Sequence, residues 1–205
     1  YEINGNSHMI KNMEWGAVAY LSHSKYGTCT DGSCIEVGIN NNSSYITGCG
    51  DKVGSSASST CNKYDSEKGV LASTTQNIYG VYDMSGGSNE YVMGTMVDSS
   101  GNFHQGSASF SSKPDSKYYD IYTYSKTHTN YSLGKLGDAT KEIIINFSDT
   151  RGGWYNDYIY FLYPNYSWFF RGSCSNDGNY SGIFRFGNYP GNEVYNATSR
   201  VVLVK

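Results

Sequence analysis

Between Trp154 and Arg200 the chain is written in a restricted alphabet. Lys, Gln, Met and His are absent from that stretch, and Glu193 is its single long acidic side chain. Upstream of Arg151 every positive charge is a Lys; from Arg151 to Arg200 every one is an Arg. Tyr, Asn, Ser, Phe and Gly fill the remainder. With few aliphatic side chains in the chain, aromatics can carry a small core, each ring burying a large area. The same residues suit a contact surface. Tyr supplies rigid amphipathic area at low entropic cost, and Asn and Ser supply adaptable hydrogen bonds.

The whole chain leans the same way. Of its 205 residues 38% are hydrophobic and 16% aromatic, with 21 Tyr, 24 Gly and only 3 Pro. The length predicts a single domain over residues 1–205 with enough chain to bury a real core. The balance favours a loop-rich α+β domain with few helices over a helical bundle. Net charge is -3, and no run of Lys or Arg exists that could neutralise a phosphate backbone, so nucleic acid is not expected as a partner. No apolar run approaches the ~20 residues of a membrane span. No signal peptide is read in the chain, and an N-terminal anchoring segment would have to lie outside it.

Five Cys bear on the setting. Cys29 and Cys34 bracket the turn sequence Thr-Asp-Gly-Ser, and Cys49 and Cys61 flank a Gly/Ser-rich stretch. The expected disulfides are Cys29–Cys34 and Cys49–Cys61, which place the protein outside the cytoplasm, extracellular or at a cell surface. Cys174 is left over. The spacings do not match a zinc site, and His8, His23, His104 and His128 are scattered, so no metal site is predicted. None of these His residues has a Ser or carboxylate partner at the spacing of a hydrolase triad.

Residues 8–26 read as the one good helix, with Met9, Met13, Ala17, Ala19 and Tyr20 as its apolar stripe and Gly27 as its stop. Residues 29–75 read as a long loop with a short strand near 35–39. Gly86-Gly87 is a turn feeding a strand that ends near Val97. Further strands are expected at 118–124, 141–147 (or a short helix beginning at Asp138), 159–163, 168–171 and 183–186. Residues 201–204, apolar on both faces, are expected at the centre of a sheet.

Four segments, in order along nearly the whole chain, carry a family resemblance. Tyr82-Asp83-Met84-Ser85-Gly86-Gly87-Ser88-Asn89-Glu90-Tyr91-Val92 resembles the "YDM-x-GN-x-WEWV" signature of the formylglycine-generating-enzyme (sulfatase-modifying factor) family. Glu14-Trp15-Gly16-Ala17-Val18-Ala19-Tyr20 is similar to its "EWEYAAR" helix, Phe170-Arg171-Gly172-Ser173 to its "RGGS" segment, and Ser199-Arg200-Val201-Val202-Leu203 to its terminal "FRVVL" strand. The resemblance implies the family's variant of the C-type lectin fold, with short twisted sheets and much irregular structure. It does not carry the enzyme with it. The family's oxidase binds copper through two reactive Cys near the C-terminus, and one thiol, Cys174, cannot make a two-thiolate site. Gly87 stands where the signature has Asn, and Tyr91 where it has Trp, which weakens calcium ligation there. Trp154-Tyr155-Asn156-Asp157 echoes the lectin "WND" with one residue intervening, and no Glu-Pro-Asn or Gln-Pro-Asp is present to chelate calcium and sugar.

The tail resembles instead that of the variable proteins of diversity-generating retroelements, which use the same lectin-like scaffold and rewrite a C-terminal repeat at template adenines. Randomising both adenines of an Asn codon (AAC or AAT) reaches Tyr, Asp, Ser, Phe, Cys, Ile, Thr, Arg, His, Pro, Leu, Val, Ala and Gly, but never Lys, Glu, Gln, Met or Trp. Those gaps match the tail, with Trp154, Trp168 and Glu193 as template-fixed positions. The resemblance implies a non-catalytic binding protein with no cofactor. Its partner is expected to be a protein, alternatively a glycan, on another cell or particle surface. Residues 154–200 are the variable region. Trp168, Arg171, Gly172, Gly182, Phe184 and Arg200 are expected as scaffold. Tyr163, Tyr166, Phe170, Asn176, Asp177, Asn179, Tyr180, Arg185, Asn188, Tyr189, Tyr195 and Asn196 are expected to face ligand. On that expectation Tyr189→Ala and Phe170→Ala leave the melting temperature nearly unchanged.

Overall fold

A computed structural model describes residues 6–41, 46–47, 61–104, 113–147 and 150–204. Within them the chain forms β1 (Asn6–Met9), α1 (Asn12–Ser22), a tight hairpin of β2 (Cys29–Thr30) and β3 (Ser33–Cys34), then β4 (Asn89–Met96), β5 (Asp120–Tyr122), β6 (Trp168–Gly172), β7 (Gly182–Tyr189), β8 (Ala197–Ser199) and β9 (Val201–Val204). Short 3-10 turns and irregular segments connect them, so the α+β class with few helices holds.

The helix is shorter than its apolar pattern. His8 and Met9 pair with Val202 and Val201 across the β1–β9 ladder, which draws the first predicted turn into a strand. The Glu14 carboxylate then accepts the Lys11 backbone N–H at 2.9 Å and caps the helix four residues late. At the other end the Ser22 carbonyl is taken by the Thr28 N–H (2.7 Å), which turns the chain before Gly27 can act as the stop. Gly16 allows the helix to lie on the 137–138 backbone, because a Cβ there would meet the Gly137 carbonyl at 2.4 Å.

The main sheet runs β5-β4-β6-β7, with β8 also on β4. β4 and β6 are antiparallel, as are β6 and β7; β5 and β8 pair parallel with opposite ends of the same edge of β4. Alternation along β6 sends Phe169 and Arg171 one way and Trp168 and Phe170 the other. On the inner side Phe169 meets Trp15, Phe161, Phe184, Phe186, Tyr122 and Tyr131 in the main core, all essentially inaccessible. Aromatic rings are the largest apolar side chains of that core, and Ile10, Val37, Val92, Ile143, Ile159, Leu162 and Ile183 pack between them.

Three strand expectations fail. Residues 35–39 form no strand, although Val37 is buried. Residues 141–143 curl into a 3-10 turn because Glu142 accepts the Gly137 and Thr140 N–H groups; Ile143 is buried while Ile145 and Phe147 stay in solvent. Residues 159–163 make only isolated bridges, Ile159 to Phe186 and Tyr163 to Tyr166. The 201–204 strand is not central either. It pairs with β1 alone in a two-stranded sheet, and Val201 and Leu203 are exposed. The Cys29–Cys34 disulfide is present. The expected Cys49–Cys61 pairing involves Cys49, which lies outside the described residues.

Candidate ligand-binding face

The four motif segments meet at one place. The Arg200 guanidinium pairs with both carboxylate oxygens of Glu90 and donates to the Asp83 carbonyl at 2.9 Å, with its carbon 6.0 Å from the Trp15 ring. Gly172, at φ 74°, lies against the Met84 carbonyl and the Trp15 ring, where a Cβ would intrude at 2.9 and 3.4 Å. Trp15 Nε1–H donates to the Ile183 carbonyl at 2.8 Å. Burial raises the Glu90 carboxyl above its ordinary value, and the Arg200 contact opposes that rise.

Arg171 is wholly buried. Its Nε donates to Asn12 Oδ1 at 2.8 Å, and the rest of its fork reaches the Ala139 and Asp138 carbonyls. The Asp138 carboxylate in turn accepts the Tyr122 hydroxyl at 2.7 Å and the Thr140 N–H at 3.0 Å. This network locks β6 to α1 and to the 134–143 turns. Burial holds the guanidinium below its ordinary value, and Asp138 is the first charge acting against that. The expected scaffold residues Arg171, Gly172, Phe184 and Arg200 therefore sit in or beside the core.

Above this frame the outer face of β4, β6 and β7 carries rings. Phe170 lies between Tyr91 (centroids 4.2 Å apart) and Tyr189 (4.9 Å, nearly parallel). Tyr189 meets Tyr166 edge-on at 6.2 Å, and Tyr166 stacks on Tyr163 at 5.1 Å. The series continues through His128 to Tyr160, Tyr158 and Tyr180, where Arg151 caps it 5.1 Å over the last ring. It is thus a continuous aromatic track, drawn mainly from residues 158–189.

The structure separates the expected ligand-facing residues into groups. Tyr163, Tyr166, Tyr180 and Tyr189 lie along the track with partly or fully accessible rings. Asn176 and Asn179 are exposed on the 175–180 turn, and Tyr195 is 77% exposed on the loop before β8. Phe170 belongs to the track but is only 4% exposed, covered by its neighbours, so its truncation cannot leave stability untouched. Asn188 shares the inward register of Phe184 and Phe186 and donates to the Phe161 carbonyl; its amide is spent on the frame. Asp177 accepts from the Ser173 hydroxyl, and Asp177 and Asn196 both approach the buried Cys174 sulfur, at 3.6 and 3.7 Å. Arg185 is half-buried and donates to Asn89 at 3.0 Å.

A cavity of about 340 Å3 opens beside the track. Met9, Tyr91, Met93 and Trp168 line it from the strands, and Val194, Ala197 and Glu193 from the 191–199 segment. The Tyr91 hydroxyl donates to the Asn192 carbonyl at 2.7 Å, and burial pushes that phenol up to about 12. Tyr91 therefore belongs to both track and cavity. Its only trace in the sequence is the departure from the motif's Trp. Nothing in the sequence marked Met9 or Met93 as companions, since they join the tail only through the β1–β9 and β4–β6 pairings.

The lectin-like Trp-Tyr-Asn-Asp segment does not face solvent with its carboxylate. Asp157 is fully buried beneath Gly182 and accepts the Phe184 N–H at 3.2 Å. Burial, then the nearby Glu36, push its carboxyl well above the ordinary range; burial also raises Glu36 to about 7. No protein-family model matches the chain, and searches of curated proteins and of solved structures find no match.

Proposed function

We propose that this chain is a non-catalytic binding protein, a retroelement-diversified variable protein on a C-type lectin-like scaffold of the formylglycine-generating type. Its C-terminal segment presents the ligand-binding face. The observation that carries the reading is the aromatic track. The segment with the restricted alphabet supplies nearly all its rings: Phe170 and Tyr189, with Tyr91, stand on the outer face of a sheet whose inner face is locked by Arg171, and the loop rings continue the series from there. Side chains on such a face can change while the frame keeps its core. Convergence of the four motif segments around Arg200 and Trp15 supports the lectin-like scaffold. The accessible rings of Tyr163, Tyr166 and Tyr189 serve as anchors, each contributing ~2 kcal/mol where a partner desolvates it. Asn176, Asn179 and Tyr195 tune the rim. A rigid face keeps the ordering cost of binding low. The ligand is a protein on another cell or particle surface, which places this protein extracellularly or at a cell surface. The Cys29–Cys34 disulfide accords with that setting. Among the described residues no helix is long and apolar enough to cross a membrane.

Comparison of sister genes tests the proposal. Differences should cluster in codons 154–200, at positions that are adenines in a neighbouring near-copy beside a reverse transcriptase. Differences spread evenly over the reading frame would refute it. Selective retention on a glycan array would keep the face but reassign its ligand.

A further inference from the structure

A second group of side chains has the chemistry of a site and lies away from the aromatic track. His23 follows α1, and its ring is held among Trp154, Tyr155 and Phe184, at centroid distances of 4.9, 5.6 and 5.7 Å. Its Nδ1 lies 2.9 Å from the Tyr155 hydroxyl. Beside it the β2–β3 hairpin sets Cys29 directly across from Cys34. One ring nitrogen of His23 and the two sulfurs all lie within 4.8 Å of one another.

Each arm of this group is fixed by something other than the S–S bond. Asp31 (φ 51°) and Gly32 (φ 81°) form the left-handed pair that a two-residue hairpin needs, so the turn itself keeps the two Cys in register. The Thr28 hydroxyl donates to the Ile35 carbonyl at 2.5 Å and its N–H to the Ser22 carbonyl at 2.7 Å, which fastens the hairpin to the end of the helix that leads to His23. Cutting the disulfide therefore leaves two sulfurs and an imidazole in one small volume.

We propose that reduction of the Cys29–Cys34 disulfide opens a Zn2+ site made of the two sulfurs and one ring nitrogen of His23. Two thiolates and an imidazole are a donor set suited to this cation, with a fourth position left for water or an outside ligand. Donors around a tetrahedral zinc stand about 3.5–3.8 Å apart, so the present spread has to contract by roughly an ångström while the sulfurs separate. The chemistry balances with a dithiol as reductant. It gives two electrons and two protons and leaves as its own disulfide, while Cys29 and Cys34 become thiols. Zn2+ then displaces both thiol protons to solvent. Reoxidation by a small-molecule disulfide, which takes the two electrons and leaves as two thiols after gaining two protons from solvent, returns the Cys29–Cys34 disulfide and expels the ion. The exposed tip, Asp31 to Ser33, gives the reductant access. This site does not depend on the binding function proposed above.

The full chain, reduced with a phosphine, desalted and held without oxygen, is titrated with Co2+ as a spectroscopic probe and then with Zn2+. The proposal expects a thiolate-to-cobalt charge-transfer band at one ion per chain, bleached by Zn2+ and absent from the oxidised protein. His23→Ala should weaken binding by at least about tenfold. The Cys29→Ser/Cys34→Ser double variant should lose the band while its other Cys remain. A band that survives in the double variant, equal affinity in His23→Ala, no band in the reduced protein, or loss of the circular dichroism signal on reduction would each overturn it.

Discussion

Replacing Arg171 with Met removes a fully buried charge from the middle of the frame. Three acceptors lose their donor: Asn12 Oδ1 and the carbonyls of Ala139 and Asp138. A buried acceptor left dry costs ~1–3 kcal/mol. Met recovers part of this through its own burial. The Asp138 carboxylate keeps hydrogen bonds from Tyr122, Thr140 and Lys135 but loses the nearest positive charge. Breaking a buried charged network from one side costs about 3–5 kcal/mol. For a chain of this size each kcal/mol moves the melting temperature by roughly 2–4 °C. The expected fall is on the order of 10 °C, read by circular dichroism at neutral pH. Arg171→Lys should fall between the two, because a point charge cannot serve three acceptors arranged for a fork. If the Met variant melts within about 2 °C of wild type, the network contributes no more than an apolar residue of similar size, and the account of the frame fails.

Other substitutions separate the face from the frame. Phe170→Ala should cost ~3–5 kcal/mol of stability, since its ring is covered on both sides. Tyr166→Ala, on an accessible ring, should change the melting temperature little and act on ligand binding alone; an equal loss of stability in both would place the whole track in the core. Arg200→Ala leaves buried Glu90 without its partner, so the stability gap to wild type should widen as pH rises through the carboxylate range, and a gap independent of pH would contradict that. Glu36 titrates near 7 in the folded chain against an ordinary 4.5, so the folded form binds its proton more tightly than the unfolded one. Its contribution is present at low pH and is lost between about 4.5 and 7. Glu36→Gln should flatten that fall, as measured by chemical denaturation at a series of pH values.

Local rules made several elements readable from the chain. Gly86-Gly87 announced β4, the strand candidates at 168–171 and 183–186 fall within β6 and β7, and the Thr-Asp-Gly-Ser turn gave the Cys29–Cys34 disulfide but not the hairpin that carries it. Where non-local pairing competed with local preference, the reading failed. The first residues of the expected helix went to β9, 194 residues away (202 minus 8) at the His8–Val202 pair. The Ile-rich 141–147 segment bent round Glu142 instead of extending. Of the residues expected to face ligand, Tyr163, Tyr166, Tyr180 and Tyr189 keep partly or fully accessible rings. Asn188 and Phe170 are less accessible than expected for different reasons: register turns Asn188 inward beside Phe184 and Phe186, whereas Phe170 points outward and is covered by Tyr91 and Tyr189.

The sequence by itself determined that aromatic rings would take a large share of the core, the α+β class and the tail as the segment set apart by composition, because these follow from which side chains exist. The tertiary structure alone decided that Tyr91, Met9 and Met93 join the tail around one cavity, that Asp157 turns inward, and that His23 stands beside the Cys29–Cys34 hairpin. Such neighbours are set by how sheets pair and pack across the chain, and composition and local spacing carry no information about distance between segments far apart in sequence.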